Sequence, residues 1–165
     1  MAKITLGGNP IQISGNLPNI GDNAVDFTLR TTALKEKSLS DYLGKTILLN
    51  IFPSVDTSVC AKSVRVFNKK ASEIDHCVVL CISKDLPFAQ ARFCGAEGID
   101  NVEMLSDFKT GSFGEDHGVT IKDSDFKGLH ARAIIIIDRN GKIKYTEQVA
   151  EIGNEPNYEA ALKAM

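Results

Sequence analysis

Two short apolar runs in the middle of the chain predict its most buried strands. Residues 46–52, TILLNIF, and residues 78–83, VVLCIS, are almost continuously apolar, which is typical of strands covered on both faces. Between them, apolar side chains recur every three or four residues, at Cys60, Val64, Phe67, Ala71 and Ile74. This spacing gives a helix one apolar face. The segment therefore predicts a strand–helix–strand unit with two parallel strands.

Hairpins are predicted near both ends of the chain. Near the N-terminus, the turn residues 7–10 separate two short strands. Their apolar positions are Ile4 and Leu6 before the turn and Ile11 and Ile13 after it. Near the C-terminus, Asn140-Gly141 separates segments 132–138 and 142–149, and Asn-Gly strongly favours a tight hairpin turn. Residues 154–165 predict a closing helix.

A second helix is predicted after the second apolar run. Asp85 is a good N-terminal cap, and Pro87 suits the first turn of a helix. The apolar positions of this helix are Phe88, Ala91 and Cys94. A glycine commonly ends a helix, so we expect the end near Gly95 or Gly98.

The order of these elements predicts an α/β fold. We expect a mixed sheet flanked by helices, with the N-terminal hairpin as an addition. A strand–helix–strand half joined to a hairpin–helix half is the layout of the thioredoxin fold. The sequence therefore predicts a thioredoxin-like domain.

Length and composition narrow the class of protein. The 165 residues are expected to form one domain over residues 1–165, since a domain typically takes ~100–200 residues. The formal charge of −2 argues against a nucleic-acid binder, which usually carries a basic surface. No apolar stretch approaches the ~20 residues of a membrane span, and residues 1–10 lack the layout of a secretory signal. We therefore expect a cytoplasmic protein without nucleic-acid or membrane partners.

The chain has four cysteines, and structural and reactive interpretations of them compete. They are Cys60, Cys77, Cys81 and Cys94. Free cysteine is among the most buried residue types, so each can be a core residue. Cys77 and Cys81 border or lie within the second apolar run, and we assign them a structural role. None of the spacings is C-x-x-C, so no metal site is expected.

Cys60 differs from the other cysteines because it lies in the first turn of its helix. Free N–H groups at that end carry a charge equivalent to ~0.5 of an elementary charge. This favours the thiolate, which is the nucleophilic form of cysteine. Thr57 stands three residues earlier, where its hydroxyl can point toward the first-turn groups. Pro53 ends the preceding strand with an apolar ring and no N–H, so the turn as a whole indicates a reactive site.

The spacing Pro53-x-x-x-Thr57-x-x-Cys60 on a strand-to-helix turn resembles the active-site motif of the peroxiredoxins. The longer segment 50–68, NIFPSVDTSVCAKSVRVFN, resembles the thiol peroxidase branch of that family.

The resemblance extends over nearly the whole chain. Residues 80–98, LCISKDLPFAQARFCGAEG, include Cys94 and match the same branch. Residues 128–138, GLHARAIIIID, place Arg132 where the family has its active-site arginine. The N-terminal hairpin also fits this branch.

The resemblance implies a peroxidase that reduces hydrogen peroxide and organic hydroperoxides without a metal or another cofactor. Cys60 attacks the peroxide and becomes a sulfenic acid, assisted by the Arg132 guanidinium and the Thr57 hydroxyl, while Pro53 excludes water. Cys94 then resolves the sulfenic acid as an intrachain Cys60–Cys94 disulfide. Thioredoxin is the implied reductant, and a homodimer is the implied assembly.

Two other functions remain open at this point. A redox sensor would use the same Cys60 but would react once and stop. A thioredoxin-like disulfide oxidoreductase normally uses C-x-x-C, and Thr57 stands where the first of those cysteines would be. The peroxidase is therefore the leading hypothesis.

Overall fold

The structure is a computed structural model that describes residues 3–165, so residues 1–2 of the predicted domain lie outside it. The strands are β1 (Ile4–Leu6), β2 (Asn9–Ile11), β3 (Thr28–Thr31), β4 (Glu36–Ser38), β5 (Thr46–Ile51), β6 (Cys77–Ser83), β7 (Glu103–Ser106), β8 (Ala133–Ile137) and β9 (Ile143–Gln148). The helices are α1 (Ser58–Ala71), α2 (Pro87–Glu97), α3 (Ser112–Asp116) and α4 (Tyr158–Lys163). Across the described range, every helix is too short or too polar for a membrane crossing.

Seven of the strands form one mixed sheet in the order β4-β3-β7-β6-β5-β8-β9. Strands β5, β6 and β7 run parallel to one another, and the other neighbours pair antiparallel. The predicted parallel unit and C-terminal hairpin are therefore confirmed. Strands β1 and β2 form a separate antiparallel pair, which confirms the N-terminal hairpin. Ile13 lies beyond that hairpin and bridges to Ile121.

Each face of the sheet carries its own apolar core, because strand side chains point alternately to opposite faces. From β5, one core receives Ile47, Leu49 and Ile51, and the other receives Leu48. The N-terminal hairpin and α3 contribute Ile4 and Phe113 to the first core. Helices α1, α2 and α4 contribute Val64, Phe93 and Ala161 to the second. The predicted sheet with helices on both faces is confirmed.

Helix α1 follows β5 as the apolar spacing predicts. Thr57 is its N-cap residue, and Cys60, Val64 and Phe67 have no exposed surface. The predicted stripe was one turn too long, because α1 ends at Ala71 and Ile74 lies beyond it. Residues 72–76 turn the chain back toward β6.

Helix α2 begins at Pro87 and ends before Gly98, as predicted, with Gly98 in the left-handed conformation at φ 65°. The N-cap residue is Leu86, so the prediction that Asp85 caps this helix was wrong. The Asp85 carboxylate instead accepts hydrogen bonds from the turn that follows β5, as described below. Phe88 does not belong to the buried face, because it is 65% exposed.

The closing helix is shorter than the predicted range 154–165, since α4 covers only Tyr158–Lys163. The reason is Pro156, because a residue that precedes proline is disfavoured in the helical conformation. The chain therefore becomes helical only after Asn157, whose side-chain oxygen accepts a hydrogen bond from Ala160 N–H at 3.0 Å.

Candidate active site

The turn between β5 and α1 is organised around Ser54. The Thr57 N–H and the Thr57 hydroxyl both donate to the Ser54 carbonyl, at 3.2 and 3.1 Å. The Asp56 N–H donates to the Ser54 hydroxyl at 3.1 Å. The Thr57 side chain therefore makes no capping hydrogen bond to α1. The first-turn N–H groups stay available to a negative group at the end of the helix that carries Cys60.

Arg132 meets this turn because it immediately precedes β8, the antiparallel neighbour of β5, in which Ala133 pairs with Ile51. Its side chain is buried, at 1% exposure. Arg132 Nη2 donates to Cys60 Sγ at 3.3 Å, and Arg132 Nε donates to the Ile152 carbonyl at 3.0 Å. Nη1 is buried and has no hydrogen-bond partner within residues 3–165. Of the two acceptors of this guanidinium, only the sulfur can take a negative charge.

A pocket of about 200 Å³ lies against Arg132. Its polar lining includes Thr57 and Arg132, and its apolar lining is Leu6, Pro53, Val59, Phe126 and Ile152. Cys60 has no exposed surface and is not part of this lining, but its sulfur accepts the hydrogen bond from Arg132, which is part of it. The arrangement places the fixed hydrogen-bond donors of Arg132 beside an apolar rim.

Asp85 fastens the turn that precedes Cys60, a role that the sequence reasoning missed. The Ser54 hydroxyl donates to Asp85 Oδ1 at 2.7 Å, and the Val55 N–H donates to Oδ2 at 2.9 Å. The Ser83 hydroxyl also donates to Oδ2, at 2.6 Å. A sequence signal existed, because the ends of the parallel strands β5 and β6 meet at the same edge of the sheet. An acidic residue just after β6 is therefore close to the turn after β5.

All four cysteines are free thiols. Cys94 is partly buried in α2 and packs against the core cluster that contains Cys60, and its burial raises the pKa of the Cys94 thiol. Burial also raises the pKa of Cys77, and it raises the pKa of Cys81 to about 12. These three thiols are therefore neutral near pH 7.

Comparison with known proteins identifies the family. A family model described as Redoxin matches residues 19–162. A thiol peroxidase of Corynebacterium glutamicum is 53% identical over 165 residues, which cover 100% of this chain and 99% of that protein. A thiol peroxidase of Mycobacterium tuberculosis is 56% identical with the same coverage. The chain belongs to the thiol peroxidase family. The resemblance read from its motifs is confirmed.

The fold of this thiol peroxidase family member agrees with a solved relative. The crystal structure of a peroxiredoxin-like protein from Aquifex aeolicus matches with a TM-score of 0.93 and 37% sequence identity. The match covers 99% of this chain and 96% of that one. The thioredoxin-like fold predicted from the element order is therefore confirmed.

Four of the five predicted site residues lie together. They are Pro53, Thr57, Cys60 and Arg132. The fifth, Cys94, is not part of the pocket lining and lies on α2. The sequence reasoning missed the Ser54 and Ile152 carbonyls that hold Thr57 and Arg132. Every residue has a carbonyl, so no sequence signal distinguishes these two.

Proposed function

We propose that Cys60 is the nucleophile of this thiol peroxidase and that it reduces hydrogen peroxide and organic hydroperoxides. The Cys60 thiolate attacks one peroxide oxygen, so an S–O bond forms while the O–O bond breaks. The other oxygen leaves as hydroxide or alkoxide and takes a proton from solvent to become water or an alcohol, and the sulfur is oxidised to a sulfenic acid. The observation that carries this proposal is the hydrogen bond from Arg132 Nη2 to Cys60 Sγ at 3.3 Å.

The burial of Arg132 supports a negative charge on Cys60. Removing a charge from water is costly unless a partner of opposite charge balances it, and a guanidinium does not lose its proton. During the attack, negative charge moves from sulfur to the departing oxygen. The buried and unpartnered Nη1 of Arg132 offers a second fixed donor for that charge.

The hydroxyl of Thr57 is positioned to accept a hydrogen bond from the peroxide. Its single proton is donated to the Ser54 carbonyl, which leaves the lone pairs of Oγ1 as the free part of the group. We assign it the role of accepting a hydrogen bond from the hydroperoxide O–H, which orients the substrate for attack by Cys60.

Thr57→Val is expected to slow peroxide reduction on the order of 100-fold, because it removes a fixed polar group from the reacting atoms. Thr57→Ser keeps the hydroxyl and is expected to stay within a few-fold of wild type. The measurement is the second-order rate constant for peroxide consumption by each reduced variant. Equal rates for the Val and Ser variants would show that the hydroxyl has no role.

The apolar rim of the pocket supports organic hydroperoxides as substrates beside hydrogen peroxide. Leu6, Val59 and Phe126 come from three separate parts of the chain and border the same space. Burial of a substrate's carbon chain against them stabilises the complex by ~25 cal/mol per Å² of apolar surface. Hydrogen peroxide has no such surface and depends on the polar groups alone.

We propose Cys94 as the resolving cysteine. Its thiol condenses with the Cys60 sulfenic acid, water leaves, and a Cys60–Cys94 disulfide forms. A disulfide needs α-carbons within about 7 Å, and both cysteines lie in helices, so part of α1 or α2 unwinds first. Unwinding exposes Cys94 and reverses the burial that raises its pKa, so the resolving thiolate forms when the helix opens.

Thioredoxin is the proposed reductant of this disulfide. The test combines the purified protein with thioredoxin, thioredoxin reductase and NADPH, and adds hydrogen peroxide or cumene hydroperoxide. The expected result is continuous NADPH oxidation with both substrates, with a higher kcat/KM for cumene hydroperoxide. Consumption of one equivalent followed by arrest would indicate a redox sensor. Reduction of insulin disulfides without peroxide consumption would indicate a disulfide oxidoreductase.

We further propose that residues 1–165 form one domain that acts as a cytoplasmic homodimer. The family model covers residues 19–162, which supports one domain. Four free thiols suit a reducing compartment, and cell fractionation tests this.

Leu86 and Phe88 are 51% and 65% exposed next to the turn held by Asp85, and they offer apolar surface to a second copy. A single-chain mass in sedimentation velocity would contradict the dimer.

A further inference from the structure

The N-terminal hairpin is attached to the loop that leads from β9 to α4. The Thr5 N–H donates to the Ala150 carbonyl at 2.8 Å, and the Ile152 N–H donates to the Thr5 carbonyl at 2.9 Å. Leu6 of the hairpin and Ile152 of the loop both line the pocket of the candidate active site. The hairpin is thus joined to the loop residue whose carbonyl accepts the hydrogen bond from Arg132 Nε.

Glu151 lies at the centre of this junction. Its Oε1 accepts hydrogen bonds from the Gly8 N–H at 2.7 Å and from the Thr5 hydroxyl at 2.9 Å. Its Oε2 accepts one from the Gly153 N–H at 2.8 Å. These donors, with Gly153 the largest contributor, lower the pKa of Glu151 to about 2. The carboxylate therefore stays ionised, and accepts these hydrogen bonds, at any pH well above 2.

One peptide group connects Glu151 to Arg132. The Gly153 N–H and the Ile152 carbonyl belong to the same planar unit and point in opposite directions in a trans peptide. Its N–H donates to Glu151 Oε2, and its carbonyl accepts from Arg132 Nε at 3.0 Å. Glycine follows this peptide, and glycine permits many backbone orientations, so a bond to the N–H is needed to hold the carbonyl in place.

We propose that Glu151 is a positioning residue that orients Arg132 toward Cys60 through the Ile152–Gly153 peptide. The proposal rests on the roles proposed above for Arg132 and Cys60. Nε and Nη2 belong to one rigid plane, so the angle at which Nε meets the Ile152 carbonyl sets where Nη2 points. A peptide that rotates away from Arg132 removes this constraint and leaves only the sulfur to hold the guanidinium.

A competing role for Glu151 is to fasten the hairpin and nothing more, and Glu151→Asp separates the two. An aspartate side chain readily accepts a hydrogen bond from the N–H two residues later, which here is that of Gly153. It is one carbon shorter, so it loses the reach to Gly8 and Thr5. Glu151→Ala loses all three hydrogen bonds, and Thr5→Val removes only the hydroxyl bond of the hairpin.

The experiment measures the second-order rate of Cys60 oxidation by hydrogen peroxide and the pH profile of Cys60 alkylation by iodoacetamide. Glu151→Ala is expected to slow oxidation about tenfold and to change the alkylation profile, because a misplaced catalytic group loses rate steeply with distance. Glu151→Asp and Thr5→Val are expected to stay within about twofold of wild type. Glu36→Ala, which removes an exposed carboxylate paired with Arg30, is the matched control at wild-type rate.

A double-variant comparison completes the test. In an Arg132→Met background, Glu151→Ala is expected to cause no further loss, because the residue through which it acts is already missing. A folded Glu151→Asp that is as slow as Glu151→Ala, a wild-type rate for Glu151→Ala, or a further tenfold loss in the double variant would each overturn the proposal. If Glu151→Ala does not fold, a slow Glu151→Asp still overturns it. Wild-type protein that does not consume peroxide would instead overturn the proposed function.

Discussion

Cys60→Ser is expected to abolish hydroperoxide reduction, with no measurable turnover in the thioredoxin-coupled assay. A serine hydroxyl remains protonated at neutral pH and is a poor nucleophile. The other three thiols do not replace Cys60, because burial raises the pKa of each. None of them contacts Arg132, whose side chain bonds Cys60 and the Ile152 carbonyl.

The matched control for this substitution is Cys77→Ser. Cys77 lies at the start of β6, away from the pocket lining. The Cys77→Ser protein is therefore expected to reduce peroxide at the wild-type rate. Residual peroxidase activity in a folded Cys60→Ser protein would assign the reaction to another thiol.

Cys94→Ser is expected to separate the two halves of the reaction. The first oxidation proceeds, because the Arg132 side chain bonds Cys60 and not Cys94, but recycling by thioredoxin is lost. The Cys60 sulfenic acid then persists, reacts with dimedone, or is oxidised further to sulfinic acid. In wild-type protein, one equivalent of peroxide is expected to give a Cys60–Cys94 disulfide peptide by mass spectrometry. A Cys60 peptide joined to Cys77 or Cys81 would contradict the resolving role of Cys94 and leave that of Cys60 intact.

Arg132→Met is expected to lower the rate constant of peroxide reduction by about 100- to 1,000-fold, which is the usual cost of removing a fixed donor from developing charge. Methionine is apolar and flexible enough to fill the space of the buried side chain, so the fold is expected to remain. The measurement is the second-order rate of peroxide consumption by reduced protein, together with thermal unfolding.

The control for this substitution is Arg30→Met. Arg30 lies in β3, outside the pocket lining, and pairs with Glu36 at 2.9 Å. A single exposed ion pair adds little to the free energy of unfolding, so Arg30→Met is expected to remain stable. Near-wild-type kinetics in a folded Arg132→Met protein would remove Arg132 from the reaction.

The elements that position the site were predictable because they are local. The strand β5, the turn that follows it and the first turns of α1 occupy consecutive residues, so apolar spacing and turn chemistry are enough to place Pro53, Thr57 and Cys60 together. Strand β4, Glu36–Ser38, escaped prediction because it is polar and pairs only with β3 at the edge of the sheet. Neither apolar alternation nor a buried face identifies such a strand.

The contacts that complete the site could not be read from local patterns. Asp85 reaches Ser54 across 31 positions, and Arg132 reaches Cys60 across 72. The first follows from the parallel pairing of β5 and β6, which the sequence predicted, but it joins two segments that no local pattern connects. Arg132 was found only through the family resemblance. The contribution of Glu151 depends on the orientation of one peptide group, which becomes visible only when the hairpin and the loop are seen together.

The register between β5 and β8 determines whether Arg132 can reach Cys60. Ile51 lies opposite Ala133, so the turn that leads to Cys60 and the residue Arg132 both adjoin the same residue pair of the two strands. Side chains alternate along a strand, and a slip of one residue would turn Arg132 to the opposite face of the sheet. A length change in β8 that shifts its register against β5 by one residue would therefore disable the site as thoroughly as losing the guanidinium. Length changes that preserve activity must fall outside these two strands.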